Sequence, residues 1–431
     1  MTAPTTDFAL VNNTNSSNAF AYITGLDLNR NNHVVFIQAD GRTVYRPNSP
    51  SSTLRPLEVD VAIPLGAPGS TKRVTIPQLA GGRIWFAVGG RLTFLLNPGP
   101  AVVEPSATNP SDPNHGLRWG FAEFTYNKVQ LFVNISYVDF VSLPISLKLR
   151  NTAGREQVVQ GIAAGGVEEV ARRLEEQGRR DGAGWGRLVV RDKGGRVLRV
   201  LSPNSGRVVD TRLFAGYYDA YVDAVWKKYA AEDLVVNTQW EWGELRGRVG
   251  AGDGLLRFGG HGAFARPSAG DVFSCSTGPF AGYPPDKAAV LGNIGARLAA
   301  ALNRSTLLAN PRQPDGERID RYYKDRVTNH YARVVHEVAV DGRGYAFPYD
   351  DVVASGDNLP DQAGTVFDGA PQLLTVALGG LSRASAGEVD DGNEVAAAAD
   401  TPKQDGEKNK KALWSGLLGY FRKAGSCFGR S

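Results

Sequence analysis

The segment Trp119-Gly-Phe-Ala-Glu-Phe-Thr-Tyr-Asn127 predicts a β-strand with one polar face inside an aromatic-rich stretch of sequence. Successive side chains of an extended strand point to opposite faces of the sheet. Glu123, Thr125 and Asn127 therefore share one face, while an alanine and two aromatic residues share the other. This pattern places a carboxylate in the middle of a polar strand face.

A second strand-like segment follows, Leu131-Phe-Val-Asn-Ile-Ser-Tyr-Val-Asp-Phe140, and it carries another carboxylate at Asp139. A carboxylate among large apolar residues is desolvated unless it faces a cleft, and desolvation raises its pKa. Two such carboxylates on neighbouring strands are what general acid–base hydrolysis of a glycosidic bond requires. The pattern alone leaves a structural alternative open, in which Glu123 faces solvent and Asp139 is a satisfied turn residue.

The spacing of the two carboxylates sets a geometric condition. In a plain hairpin joining the two segments, Glu123 lies opposite Ile135. Asp139 is then four residues further along its strand, about 13 Å away at ~3.3 Å per residue. The second strand must therefore bend or bulge between Asn134 and Asp139 to bring the carboxylates together.

The rest of the chain divides by pattern into a β part and a mixed part. Residues 7–150 predict an all-β domain, since runs rich in Val, Ile, Phe and Thr alternate with turn residues. Its clearest hairpin runs from Arg83 to Leu96 with a primed turn at Gly89-Gly90. Residues 151–336 predict amphipathic helices with strands between them. Strand character returns over 337–380, and we interpret this segment as completing the β domain, which makes the α/β part an insertion.

Composition and missing motifs exclude several classes of protein. The chain has 431 residues with 42% apolar and 21% charged, as in ordinary globular proteins. It contains no apolar run of membrane-spanning length, and its net charge of +4 is spread along the chain, which argues against a nucleic-acid partner. Two cysteines rule out a disulfide framework, and the absence of HExxH and Walker-type loops gives no support for a metal or other cofactor. The N-terminus lacks the pattern of a signal peptide, so the sequence leaves the compartment open.

The C-terminal segment, residues 381–431, predicts a disordered tail, because residues 382–411 contain almost no large apolar side chains. Within it, residues 410–423 would place five apolar side chains on one helical face flanked by Lys and Arg. That face favours weak contact with a membrane surface or a partner protein. The alternative is a frayed tail, because two glycines weaken the helix.

These segments resemble glycoside hydrolase family 64, the laminaripentaose-producing β-1,3-glucanases of the thaumatin-like superfamily. The resemblance covers most of residues 7–380. Its most specific stretches are Ile84–Val88, Trp119–Asn127, Asn134–Pro144 and Tyr345–Asp351. It implies that Glu123 and Asp139 are the catalytic pair.

The resemblance also implies which residues bind the substrate. By that resemblance, Thr125 and Asn127 line the glucan groove, and Phe132 stands where the family has a tryptophan. Asp350 corresponds to an acid that the family places in the cleft.

The resemblance further implies an architecture and an activity. The fold would be mainly β with an α+β part: a thaumatin-like β barrel or sandwich, an inserted α/β domain, and a wide groove between them. The protein would hydrolyse β-1,3-glucan polysaccharide internally and with inversion, with Glu123 as general acid and Asp139 as general base. The alternative is a non-catalytic thaumatin-like protein that binds glucan in defence. The resemblance suggests an extracellular or cell-wall location, but the N-terminus shows no signal peptide, so the location is left unknown.

Overall fold

Strands dominate the N-terminal part of the computed structural model, which describes residues 1–356 and 362–381. The strands of this part are β1 (Thr5–Asn12), β2 (Ala19–Asp27), β3 (His33–Ile37), β4 (Val44–Tyr45), β5 (Arg55–Pro56), β6 (Ile63–Pro64), β7 (Thr71–Pro77), β8 (Leu79–Val88), β9 (Leu95–Asn97), β10 (Ala101–Val103), β11 (Arg118–Tyr126), β12 (Leu131–Ile135), β13 (Phe140–Val141), β14 (Ile145–Asn151) and β15 (Glu156–Val159).

Helices and strands mix in the following part, and two strands end the described chain. These elements are α1 (Gly166–Asp181), β16 (Val189–Arg191), β17 (Val197–Leu201), α2 (Pro203–Val209), α3 (Asp219–Ala231), β18 (Leu234–Asn237), β19 (Glu244–Val249), β20 (Leu256–Arg257), β21 (Ala263–Phe264), α4 (Ala269–Ser274), α5 (Ala288–Arg304), β22 (Arg312–Gln313), α6 (His330–Val338), β23 (Thr365–Asp368) and β24 (Pro371–Leu378). The predicted return of strand structure at Glu337 is wrong at its start, because Glu337 lies in α6.

Two large sheets contain most strands of the β part. The first has the order β15-β14-β24-β1-β7, and the second has the order β23-β12-β11-β8-β2-β3-β4 with β6 beside β2. The last strand of the described chain, β24, lies between β1 and β14, parallel to β1 and antiparallel to β14. The two C-terminal strands therefore belong to the sheets that the N-terminal part begins.

Side chains from the facing sides of these two sheets form a shared core. The rings of Phe8 on β1 and Phe124 on β11 meet edge to face with centroids 5.3 Å apart. The Tyr126 hydroxyl donates to the Ala3 carbonyl at 2.6 Å, which satisfies its polar atom inside the core. A Cβ on Gly82 would lie 2.4 Å from the Phe124 ring, so the close approach of β8 to this ring requires glycine. Because this core occupies one side of β11, the alternate side chains point to the opposite face of the second sheet.

The hairpin predicted around Gly89-Gly90 is wrong. Both edges of β8 are already occupied by other strands, since Trp85 pairs with Tyr22 of β2 and with Phe121 of β11. After the glycines the chain turns away, and β9 pairs with β10 and β5 in a separate three-stranded sheet. This path brings Phe94 against Trp85, with ring centroids 5.7 Å apart, and buries both rings.

The mixed α/β part contains two smaller sheets, ordered β13-β17-β16 and β21-β20-β19-β18-β22. Strand β13 comes from the β part, so its hydrogen bonds to β17 join the two parts of the fold. The ends of the mixed part lie side by side, since the Val340 N–H donates to the Gly161 carbonyl at 2.8 Å. All described residues belong to one compact unit, and the division at residues 151–336 stays a prediction.

Among the described helices, none has the length and hydropathy needed to cross a bilayer. The predicted tail with its amphipathic segment near 410–423 lies, from residue 382 onward, outside the described residues.

Candidate active site

The register of the β11–β12 hairpin decides which side chains meet on the open face of the second sheet. Glu123 lies opposite Asn134, one residue away from the Ile135 expected for a plain hairpin. The turn explains the difference, because the Asn127 N–H donates to the Gln130 carbonyl at 3.0 Å and the Asn127 side-chain oxygen accepts the Gln130 N–H at 3.0 Å. The Asn127 side-chain oxygen is therefore committed to the turn.

Arg83 lies on the other side of Glu123 and organises the site. It pairs with Glu123 across β8 and β11, with its Nε 3.4 Å from the Glu123 carboxylate. A second carboxylate, Glu104, forms a short ion pair with the same guanidinium. The guanidinium also lies over the rings of Phe121 and Trp85, at 4.8 and 5.3 Å from their centroids. One arginine held on an aromatic floor thus faces two carboxylates.

Asp139 reaches this face through a bend in the chain. Strand β12 ends at Ile135, and the backbone bends at Val138 and Asp139 before β13 begins. The Asp139 carbonyl accepts the Ser202 N–H at 2.9 Å, which anchors the bend to the mixed part. The next side chain, Phe140, packs its ring on the aromatic residues of β11. The bend that the sequence requires is present and turns Asp139 toward Arg83 and Glu123.

The electrostatics of the site couple Asp139 to its neighbours. Burial raises the pKa of the Asp139 carboxyl, Arg83 opposes the rise, and the Glu123 carboxylate adds to it. The Asp139 side chain nevertheless remains open to solvent. Both properties hold together when a carboxyl group lies deep in a cleft that water can enter. Asp139 is therefore accessible and has a raised pKa at the same time.

Glu104 and Arg83 share this electrostatic coupling. Burial raises the pKa of the Glu104 carboxyl, and Arg83 opposes the rise. Burial alone would lower the pKa of Arg83, but Glu104, Glu123 and Asp139 together raise it. Arg83 therefore stays charged within a group of three carboxylates. Sequence reasoning missed Glu104, because it follows a three-residue strand and only the tertiary packing brings it to Arg83.

Two other predicted residues lie on the same face as Glu123, one row further along the sheet. Thr125 pairs with Phe132 across β11 and β12, and both are half-buried. Phe132 in turn pairs with Phe367 on the edge strand β23, with ring centroids 6.4 Å apart and planes 25° from parallel. The polar face predicted for β11 thus continues into a pair of aromatic rings.

Asp350 does not join this group, which corrects the expectation that it lines the cleft. Its side chain is fully buried. Its carboxylate accepts a bond from Arg304 at 3.2 Å and one from the Ala346 N–H at 3.0 Å, and it lies 3.0 Å from His336 Nε2. Burial would raise the pKa of Asp350, but His336 and Arg304 hold it below its ordinary value. A carboxylate enclosed in this way cannot contact a polymeric substrate, so its role is structural.

Within residues 1–356 and 362–381, no three His, Cys, Asp or Glu side chains are grouped so that they could hold a metal ion. The acidic groups of the site are instead arranged around Arg83.

Paired carboxylates on an open sheet face beside aromatic rings are typical of carbohydrate-active β proteins. The chain belongs to the β-1,3-glucanase family, glycoside hydrolase family 64, which matches it over residues 4–378. It is similar to curated glucan endo-1,3-β-glucosidases of Cellulosimicrobium cellulans and of Arthrobacter sp. (strain YCWD3). Each is 34% identical over 311 residues, which are 71% of this chain and 53% of the relative. The chain spans about half the length of these curated relatives.

Solved structures share the fold. A laminaripentaose-producing β-1,3-glucanase in complex with laminaritetraose superimposes with a TM-score of 0.75 and 32% identity, over 87% of this chain and 99% of that chain. A family 64 β-1,3-glucanase domain from Clostridium beijerinckii gives a TM-score of 0.65 at 22% identity, over 87% and 98% of the two chains. These similarities agree with a mainly β fold that includes some helices.

Proposed function

We propose that the protein hydrolyses β-1,3-glucan internally, with inversion, and releases short laminari-oligosaccharides. The observation that carries this proposal is the convergence of Glu123 and Asp139 on Arg83 at the open face of the second sheet. Membership in the β-1,3-glucanase family and the names of the curated relatives support the choice of substrate.

In this mechanism the two carboxylates act on opposite sides of the scissile bond. Glu123 protonates the leaving glycosidic oxygen, and Asp139 takes a proton from the water that attacks the anomeric carbon. An inverting site needs ~6.5–9.5 Å between the carboxyl groups to hold that water. The raised pKa of Asp139 makes it a stronger base at the operating pH, and its exposure lets water reach it.

The proposed substrate groove follows the open face of β11 and β12. Thr125, Asn127 and Phe132 line it, and an aromatic ring at position 132 stacks on a sugar as a tryptophan would, without the indole N–H. We assign the architecture to the thaumatin-like superfamily, with a wide groove between the β part and the mixed part. The aromatic floor under Arg83 supports this assignment by fixing the carboxylates at one wall of such a groove.

Product analysis tests the activity. The purified protein should release short oligosaccharides from laminarin, and NMR of the first products should detect the α-anomer, which marks inversion. Glu123→Gln and Asp139→Asn should each lower kcat by ~10²–10⁴ and leave the Kd for laminarin largely unchanged. Binding of laminarin by the wild type without sugar release would support the alternative, a non-catalytic glucan-binding protein.

Chemical rescue tests the two roles. Glu123→Ala should regain turnover on a substrate with an activated aryl leaving group, because such a group leaves without protonation. Asp139→Ala should regain turnover when azide is added, because azide replaces the activated water. The reversed pattern of rescue would exchange the two roles.

A further inference from the structure

Phe367, on the edge strand β23, exposes a large part of its aromatic ring to solvent. Its side chain has 48% of its surface accessible, and it is the one aromatic residue in the exposed class among residues 1–356 and 362–381. A single exposed apolar side chain is ordinary on a protein surface. Phe367 differs because the surrounding structure holds its backbone in a fixed position.

The Gln157 side chain makes the two backbone hydrogen bonds to Phe367 that a further strand would make at this edge of the sheet. The Gln157 side-chain amide donates to the Phe367 carbonyl at 2.7 Å, and its oxygen accepts the Phe367 N–H at 3.2 Å. On the next residue, the Asp368 carboxylate accepts a bond from the Asn151 side chain at 3.0 Å. The backbone N–H and carbonyl of Phe367 at the outer edge of β23 are therefore hydrogen-bonded to Gln157. This side chain leaves the Phe367 ring uncovered.

These bonds also determine how Phe367 meets Phe132. Because the polar backbone atoms of Phe367 point to Gln157, away from β12, the Phe132–Phe367 pair is the non-hydrogen-bonded type. Side chains of such a pair lie closer together than those of a hydrogen-bonded pair. The two rings, with planes 25° from parallel, form one pre-ordered apolar surface on the face of Glu123.

The distance from the carboxylates shows which part of a substrate would reach this surface. Phe367 lies two strands and two residues away from Glu123. At ~4.8 Å between strands and ~3.4 Å per residue, their Cα atoms are about 12 Å apart. A sugar that contacts Phe367 is therefore a different sugar from the one at Glu123.

We propose that Phe367 is a sugar-stacking site that binds a glucosyl unit of the β-1,3-glucan chain remote from the scissile bond. This inference rests on the proposed function. The apolar C–H face of a pyranose packs on an aromatic ring, and the ring loses little freedom because it is already held in place. Continuity with Phe132, Thr125 and Glu123 on one sheet face identifies the occupant as the same polysaccharide chain.

The dependence of KM on the length of the oligosaccharide distinguishes a stacking site from a general surface effect. Phe367→Ala should raise the KM for laminarihexaose and laminarin about fivefold to tenfold, with kcat changed less than about twofold. The increase in KM should shrink as the oligosaccharide shortens, and Phe367→Trp should restore the wild-type KM. Val208→Ala, which alters another exposed apolar side chain on α2, should change neither constant.

Binding measurements keep this inference separate from the proposed function. In a Glu123→Gln background, Phe367→Ala should weaken laminarihexaose binding by the same factor in calorimetry. An unchanged Kd and KM at every chain length would overturn the stacking site, and so would a changed oligomeric state with unchanged glucan affinity. If the wild type releases no sugar from laminarin while Phe367→Ala still weakens binding, hydrolysis is refuted and the stacking site stands.

Discussion

At the scale of single residues, Arg83 is the centre on which the site depends. It neutralises one charge among Glu104, Glu123 and Asp139, and the aromatic floor limits its movement. Because Glu104 forms its own ion pair with Arg83, it takes up part of the positive charge that would otherwise act on Asp139, the proposed general base. Glu104 is thus a positioning residue that limits how far Arg83 can lower the pKa of Asp139.

Glu104→Gln should therefore shift the pH profile of hydrolysis downward. Without the Glu104 charge, Arg83 acts more strongly on Asp139 and lowers its pKa. Asp139 must be ionised to act as base, so the acid limb of kcat/KM should move down by ~0.5–1 pH unit. Glu241→Gln, which removes an exposed carboxylate, is the matched control. An unchanged profile, or a shift to higher pH, would contradict this role.

Asp350 should affect stability and not glucan binding. Asp350→Asn leaves Arg304 without its buried counter-charge, and breaking a buried pair costs about 3–5 kcal/mol. The folded-state pKa of Asp350 is lowered, so its stabilisation is complete above the unfolded-state value of ~3.9 and is lost as the pH falls below it. Urea unfolding should show a large difference at pH 7 that narrows toward pH 3. Asp320→Asn, in an exposed ion pair, should cost less than about 1 kcal/mol.

That interpretation fails if Asp350→Asn unfolds at the wild-type urea concentration but loses affinity for laminarin. Such a result would restore the expectation drawn from the sequence, in which Asp350 faces the cleft.

At the scale of elements, local pattern predicted single strands better than their partners. The alternation in β11 identified the face of Glu123 and Thr125, and the need for a bend before Asp139 followed from spacing alone. Partner choice is a tertiary property: the Gly89-Gly90 link predicts a hairpin, but β2 and β11 occupy both edges of β8 and exclude it. Glu104 and Phe367 were missed for the same reason, since each gains its role from a neighbour distant in sequence.

The edge strand β23 offers a test at this scale. Gln157→Ala removes the two hydrogen bonds that hold Phe367 and should lower the free energy of unfolding by about 1–2 kcal/mol. Hydrogen exchange of residues 365–368 should become faster, because the Phe367 amide loses its acceptor. Gln372→Ala, at an exposed position of β24, should leave exchange in β23 unchanged. Equal exchange in both variants would mean that Gln157 does not hold the edge.

At the scale of the whole molecule, segments that are distant in sequence come together at the site. The second sheet supplies Glu123, the loop after β10 supplies Glu104, and the bend into the mixed part supplies Asp139. The C-terminal strands complete the same sheets, because β24 lies in the middle of the first and β23 carries Phe367 at the edge of the second. Remote parts of the sequence therefore meet at one face, which strand periodicity alone cannot predict.

The place of the two C-terminal strands in these sheets predicts where the chain can be shortened. Every site residue named above precedes Leu381, whose N–H donates to the Ser146 hydroxyl at 3.2 Å, and the Gly380 carbonyl accepts the Asn13 side-chain amide at 2.7 Å. A chain that ends at Leu381 keeps these bonds, so its kcat/KM on laminarin should stay within about twofold of the full chain. Ending the chain at Ala370 instead removes β24 from the middle of its sheet and should abolish folding.

The apolar and basic sequence pattern near 410–423 predicts that residues 382–431 bind weakly to anionic membranes. Vesicles containing phosphatidylserine should retain the full chain in a sedimentation assay and should not retain the chain that ends at Leu381. High salt should weaken the binding, because part of the attraction comes from Lys and Arg. Equal retention of both chains, or of neither, would refute the membrane role, and a loss of hydrolysis in a folded shortened chain would show that the removed residues support the site.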